Sequence, residues 1–281
     1  MHAREIADQF HTIESLGVTC QPRCGSCRCG KCHPGGKDMT LKDEKEFNLI
    51  ESKIEFKADS GRWMAAYPWM CERNQLKSNI HIAAAILRST ENRLKGNREQ
   101  ATLYSRQIQD MIDRKAARKI TEAELNSFQG AKFYIAHHAV MKAESKSTPC
   151  RIVFNSSAKY GGLSLNDCLA KGPSLLNGLL GILLRFRQNK VAFIGDISKM
   201  YHSIDIPLED QMTHLFLWRD FDTSVEPKTY AMTVVNMGDK PSATIAQIAL
   251  RKTAEEAKEE FPESIEIILQ NSYMDDISGS V

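Results

Sequence analysis

Three carboxylates have placements that suit chemistry. Asp196 closes a short apolar run, Val191–Ile194, after a single glycine, and Asp275-Asp276 falls where a second apolar stretch must turn back. A carboxylate at a strand end is exposed at the sheet rim while its backbone is held rigidly, which suits a metal ligand. Carboxylate oxygens are the ligands Mg²⁺ prefers, and Mg²⁺ takes the rest of its shell from water and substrate phosphates. Two such ions ~3.5–4 Å apart activate a 3′-hydroxyl and stabilise a leaving pyrophosphate. Taken singly, Asp-Asp is ordinary turn chemistry and an Asp after a strand is an ordinary helix cap. Specificity comes from their order in one chain and from the aromatic Tyr273 before the pair.

A second set is soft. Five of the eight cysteines fall within residues 20–32, and Cys24-x2-Cys27-x-Cys29-x2-Cys32 supplies four thiolates of the kind tetrahedral Zn²⁺ accepts, with Cys20 and His33 in reserve. The spacing fits no standard finger. A tight zinc knot and a reduced, Cys-rich linker both remain open, and without a secretory signal a disulfide framework is not expected.

The elements that must position these groups follow from pattern. Residues 1–40 read as a Cys-rich loop segment. Residues 41–130 read as a small strand pair at 47–69, around the turn Ala58-Asp59-Ser60-Gly61, plus a basic helical region at 81–95 and 97–119. Thr121-x-x-Glu124 is a capping box for a short third helix. From residue 131 the pattern predicts strands at Tyr134–Lys142 and Arg151–Asn155. A helix over Leu175–Arg187 follows Gly172-Pro173. Further strands are predicted at Val191–Ile194, Leu215–Trp218, Thr229–Val235 and Ile265–Leu269, with a helix at Ser242–Glu260 and a final hairpin. The fold class is α+β, with a mainly antiparallel sheet and helices on one face.

Composition bounds the rest. The chain has 281 residues and a net charge of +2. Residues 62–119 hold 12 Lys and Arg against 5 Asp and Glu, and residues 121–281 hold 16 against 20. A basic half beside an acidic half suits a protein that grips a phosphate backbone with one part and metal cations with the other. Two solvated helix faces of different composition would give the same asymmetry. No stretch approaches the ~18 apolar residues of a membrane helix, and the charged N-terminus lacks a signal-peptide core. The expectation is an intracellular protein with no membrane partner, in a cytoplasmic particle or the nucleus.

Phe193-Ile194-Gly195-Asp196-Ile197-Ser198-Lys199-Met200-Tyr201 resembles polymerase motif A, and Tyr273-Met274-Asp275-Asp276 resembles the YxDD motif C of reverse transcriptases. Tyr134–Val140, Ser147–Ala158, Leu165-Asn166-Asp167, Leu183–Arg187 and Phe216–Arg219 are similar to the Pol polyprotein of BEL/Pao-type LTR retrotransposons. The likeness runs upstream through Tyr67-Pro68-Trp69 and Ile108–Asp113 to the Cys cluster. It implies a polymerase "right hand" with fingers and a partial palm over residues 131–281. The partners it implies are an RNA template, a DNA primer, dNTPs and the remainder of the polyprotein.

The implied acidic triad is Asp196, Asp275 and Asp276, holding two Mg²⁺ or Mn²⁺ ions. Arg151 and Lys142, on a fingers hairpin, would meet the triphosphate. Tyr201 would fill the space of a ribose 2′-hydroxyl and so select deoxynucleotides. RNA-templated RNA polymerases tend to place Asp there and Gly-Asp-Asp at motif C, so both features favour a DNA-making enzyme. Asn236–Ser242 would be motif B, with Gly238 approaching the nucleotide and Ser242 opening the supporting helix. Met237 stands where a Gln is frequent. The chain ends five residues after Asp276, so the expectation is a palm incomplete at its C-terminus and inactive as an isolated fragment. The alternative is a non-catalytic remnant, or a domesticated nucleic-acid-binding module using the basic region and a zinc knot.

Overall fold

The computed structural model describes residues 39–141 and 149–281. Cys24, Cys27, Cys29, Cys32 and Lys142 lie outside the described residues. The chain is mixed α and β. In order come α1 (Leu41–Glu51), β1 (Ile54–Lys57), β2 (Arg62–Ala65), α2 (Ile80–Leu94), α3 (Arg98–Asp113), β3 (Ala117–Lys119) and α4 (Glu122–Ser127). Then come β4 (His137–Met141), β5 (Cys150–Phe154), α5 (Leu179–Phe186), β6 (Ala192–Asp196), β7 (Ile204–Asp205), α6 (Leu208–Gln211), β8 (Leu215–Trp218) and β9 (Lys228–Met232). The last four are α7 (Ser242–Glu256), α8 (Pro262–Asn271), β10 (Ser272–Tyr273) and β11 (Asp276–Ser280). Among the described residues no helix is long and apolar enough to cross a membrane.

In place of one sheet there are four small ones: β1-β2-β7, β10-β11-β6, β3-β9-β8 and the β4-β5 hairpin. All pairs are antiparallel except β2 with β7, where Trp63 faces Ile204. The core joins them. Helix α3 contributes Tyr104, Ile108 and Met111, an i, i+4, i+7 stripe, and β8 is buried over its whole length. Tyr104 stacks on Trp218 with ring centroids 5.4 Å apart, which seats α3 on β8.

Several expectations need correction. Residues 47–51 belong to α1, not to a strand. The helix is opened by Thr40, whose hydroxyl accepts the Asp43 N–H at 3.0 Å, and anchored by Glu46, whose carboxylate accepts the Lys171 and Gly172 N–H groups. The helix expected at 97–119 stops at Asp113, because Lys115 turns left-handed (φ 59°) and Ala116 and Ala117 bury themselves. Gly172 has φ +76°, and a Cβ there would stand 2.6 Å from Ile50 Cδ1. The chain therefore leaves Gly172-Pro173 extended, and α5 starts only at Leu179. Ile265–Leu269 lies within α8, which Pro262 opens at its first turn, where a missing N–H is harmless. Both hairpin turns and the Thr121–Glu124 capping box occur as expected.

Two buried carboxylates cross-link these elements. Asp210 accepts the Tyr67 N–H and the Trp69 indole N–H, both at 2.8 Å, and the Arg73 guanidinium at 2.9 Å. Asp239 accepts from the Ser156 and Tyr67 hydroxyls, from Asn236 Nδ2 at 3.1 Å and from His214 Nε2 at 3.1 Å. His214 Nδ1 donates to the Asp210 carbonyl at 2.7 Å, and the Tyr67 ring stacks on the imidazole at 4.6 Å. Burial pushes the His214 pKa down, but the charge and hydrogen bond of Asp239 outweigh it and hold it above the usual histidine value. Burial likewise pushes Asp239 up, and His214, Ser156 and Tyr67 together hold it low. The pair is ionised. Buried His137 behaves oppositely: burial outweighs its bond to the Leu217 carbonyl and lowers it to about 4.

These shifts set the pH profile of stability. A raised histidine contributes in full below its unfolded value of 6.5 and loses that contribution as pH climbs through its folded value. Lowered His137 and His202 penalise folding as pH falls from 6.5 toward about 4. Stability should therefore peak near pH 6.5 in urea titrations, and His214→Gln should flatten the alkaline limb. Parallel alkaline declines in the two proteins would refute the charged pair. Asp239→Ala should cost about 3–5 kcal/mol, because it strands a buried imidazolium.

Candidate active site

Strand β6 carries Asp196 at its end, and β11 begins with Asp276 directly opposite, in the register Asp276↔Asp196. Directly paired residues in antiparallel strands have Cα atoms ~4.5–5.5 Å apart. Asp275 precedes β11 in the two-residue turn of the β10–β11 hairpin, and its carbonyl accepts the Ile197 N–H at 2.8 Å. Met274, the first residue of that turn, has φ 57°, a strained conformation for a residue with a Cβ. Its carbonyl is held by Gln247 Nε2 at 3.2 Å, and its side chain packs on the core.

None of the three carboxylates has a hydrogen bond or ion pair to another described residue. Asp196 and Asp275 line a cleft of about 330 Å³, while Asp276 sits beside them on the exposed strand. These are hard oxygen donors of the type Mg²⁺ and Mn²⁺ take. Among the described residues no group of three His, Cys, Asp or Glu side chains is arranged to hold a metal by itself. Two carboxylates open to the cleft suit an ion that draws its remaining ligands from water and a phosphate substrate.

Other predicted residues fall around the same cleft. Arg151, exposed on β5, and Tyr201 line it. Tyr201 is 9% exposed, and burial first, then the charge of Asp275, pushes its hydroxyl pKa up. Met237 also lines it, with its side chain 67% exposed. Gly238 is pressed against the β4–β5 hairpin: a Cβ there would lie 2.4 Å from the Phe154 carbonyl oxygen. Ser242 is buried and donates at 2.6 Å to the Asn236 carbonyl, so it pins the 236–242 turn rather than facing the cleft.

The cleft has a wall that pattern reading did not assign. Gln107 and Met111 from α3 and Arg114 at its C-cap line it, as do Lys199 and His202 after β6. Positions 107, 111 and 114 share one helix face, a spacing legible in sequence. Asp110 is held below the usual carboxylate range by its hydrogen bond to Arg114, against some burial, with the Arg114 and Lys199 charges adding to it. Burial lowers His202 to about 4, helped by the Arg114 and Lys199 charges, so the ring is neutral at pH 7. Its Nδ1 is buried with no partner among the described residues.

Gly238→Ala should force the 236–242 turn away from Phe154, since the obstructing atom is backbone. A loss of about 1–3 kcal/mol is expected in urea unfolding, with the Tyr201 wall more open to quenchers. An unchanged unfolding midpoint would show that the turn shifts freely. No protein-family model matches the chain, and no curated protein matches it either.

Proposed function

We propose that residues 131–281 are the fingers and palm portion of a reverse transcriptase, an RNA-directed DNA polymerase segment of a BEL/Pao-type retrotransposon Pol polyprotein. One observation carries this reading. Asp196 and Asp275, remote in sequence, line one cleft from adjacent strand ends, and Arg151 and Tyr201 line it with them.

Mg²⁺ or Mn²⁺, held by Asp196 and Asp275 with Asp276 alongside, would supply activation of a primer 3′-hydroxyl and offset of pyrophosphate charge. The chain's own groups do the rest. The Arg151 guanidinium, with five fixed donors, meets phosphate oxygens across the cleft from the acids. Arg114 and Lys199 add positive charge on the α3 side. The Tyr201 ring closes the wall beside Asp275, where a 2′-hydroxyl would need room. Gly238, close against Phe154, lets the turn that brings Asn236 and Met237 to the cleft pack on the β4–β5 hairpin.

A second reading is a nucleic-acid-binding module without catalysis. It is favoured by Arg88, Lys95 and Arg98, which line a separate cavity of about 540 Å³ at the α2–α3 corner. One measurement separates the two. Binding of dTTP with Mn²⁺, followed by manganese paramagnetic resonance, should weaken at least tenfold in Asp196→Asn and in the Asp275→Asn, Asp276→Asn double variant. Tyr201→Ala should narrow the preference for dTTP over UTP. Equal binding by wild type and both acid variants, with RNA binding retained, would leave only the second reading.

A further inference from the structure

Two cysteines far apart in sequence meet outside the cleft. Residues 68–70 and 168–170 run antiparallel. Trp69 bridges Leu169, the Met70 N–H donates to the Cys168 carbonyl at 2.8 Å, and the Ala170 N–H donates to the Pro68 carbonyl at 3.0 Å. In this register Met70 stands opposite Cys168 and Cys71 follows one residue on; with paired chains ~4.7–4.9 Å apart, the two cysteines are near the ~4.4–6.8 Å Cα span that a disulfide bridges. The two thiols are close enough to influence each other, and Cys71 helps to raise the Cys168 thiol. Both are free thiols.

Their surroundings differ. Cys168 is 0% exposed, whereas Cys71 is half-buried and lines a broad groove of about 1090 Å³ beside Trp69, Arg73 and Glu209. Burial, then the contact with Cys71, pushes the Cys168 thiol up to about 12. Cys168 therefore keeps its proton at neutral pH, and Cys71 is the sulfur that a small reagent can reach. Cys150 is also fully buried, but no other described cysteine touches it, so it serves as an internal control.

We propose that Cys71 and Cys168 form a reversible redox site, oxidised to an intramolecular disulfide by a small hydroperoxide entering the groove. In the first step the Cys71 sulfur, as thiolate, attacks one peroxide oxygen. The O–O bond breaks, Cys71 becomes a sulfenic acid, and the other oxygen leaves as an alcohol or water after taking up a proton. In the second step the Cys168 sulfur attacks the Cys71 sulfur. The S–S bond forms, the S–O bond breaks, and water leaves with the Cys168 proton. Two thiols and one hydroperoxide give one disulfide, one alcohol or water, and one further water. A dithiol reductant reverses the change.

The site is wired to the cleft. Cys168 ends the 3-10 turn Asn166–Cys168, and Asn166 grips the turn after β9: its Nδ2 donates to the Gly238 carbonyl at 3.1 Å, and its Oδ1 accepts the Lys240 N–H at 2.8 Å. Cys71 follows Trp69, whose indole is anchored to buried Asp210. Oxidation thus fastens the clasp on Gly238 to the Asp210 hub, and reduction releases it. This inference stands on the thiol geometry and is independent of the polymerase reading.

The test uses the full chain with Cys20, Cys24, Cys27, Cys29 and Cys32 changed to Ser. After treatment with hydrogen peroxide and alkylation, trypsin should release residues 63–73 joined to residues 160–171, two hydrogens lighter than the separate peptides. The joined species should vanish with dithiothreitol. Tm should rise by roughly 5 °C on oxidation, and Cys71→Ser, a change at a half-exposed position, should abolish both effects. Cys71 oxidised to sulfinic acid without the joined peptide, joining to Cys150 instead, or an unchanged Tm would each overturn the proposal.

Discussion

The buried Asp239 carboxylate organises the molecule. A charge taken out of water is tolerated only when paired and fully hydrogen-bonded. Asp239 meets that demand from four places in the chain: Tyr67 after β2, Ser156 after β5, His214 before β8 and Asn236 in its own turn. Each donor fixes one element relative to the others. The β4–β5 hairpin is brought against the 236–242 turn, which is why only glycine fits at 238. The cleft therefore takes its width on this side from the geometry of one satisfied ion pair, with Asp210 bracing Tyr67 and His214 from behind.

The acids at the cleft are handled in the opposite way. Asp196, Asp275 and Asp276 have no protein donors among the described residues, and water carries their solvation. Backbone register, rather than side-chain bonding, keeps them together, and the left-handed Met274 at the hairpin tip and Lys199 after β6 are strained residues on either side. Strain of this sort persists only where surrounding contacts over-determine it, and Gln247 with the packed Met274 side chain supplies them at the hairpin.

Legibility in the sequence divides along the range of the interactions. Capping boxes at Thr40 and Thr121, the Gly61 turn and the alternating or fully apolar strands are local, and all but the first were read from residue type and spacing. Ile265–Leu269 was misread because a five-residue apolar run has no period of its own; Pro262 at the first turn was the cue for a helix. β3 and the end of α3 could not be read, since Ala116 and Ala117 are good helix formers, yet Ala117 pairs with Met232 and the Ala116 carbonyl accepts the Thr233 N–H. The Asp239 hub was invisible because its donors are scattered over the chain and none is unusual alone. Ser242 was placed in the right turn, but whether its hydroxyl faced a ligand or the Asn236 carbonyl depends on helix phase, which spacing does not settle.

The strand that carries Asp196 is the least buried in the fold: Ile194 is 73% exposed, and β6 has β11 as its only strand partner among the described residues. Its position cannot come from core packing. It comes from five register pairs with β11, from mutual Val191–Val281 backbone bonds at the far end, and from Asn189 bonding Ser280. Asp196 and the Asp275-Asp276 turn must then move together, because any shift of β11 drags its partner. The remaining freedom is between this unit and the Asp239-held body. Asn177 donating to the Leu269 and Ser272 carbonyls, and Gln247 donating to Met274, tie the two together. These neutral amides, together with the Lys199–Asp110 ion pair at 4.0 Å that reaches from the end of β6 to α3, hold the acids at their distance from Arg151 and Tyr201.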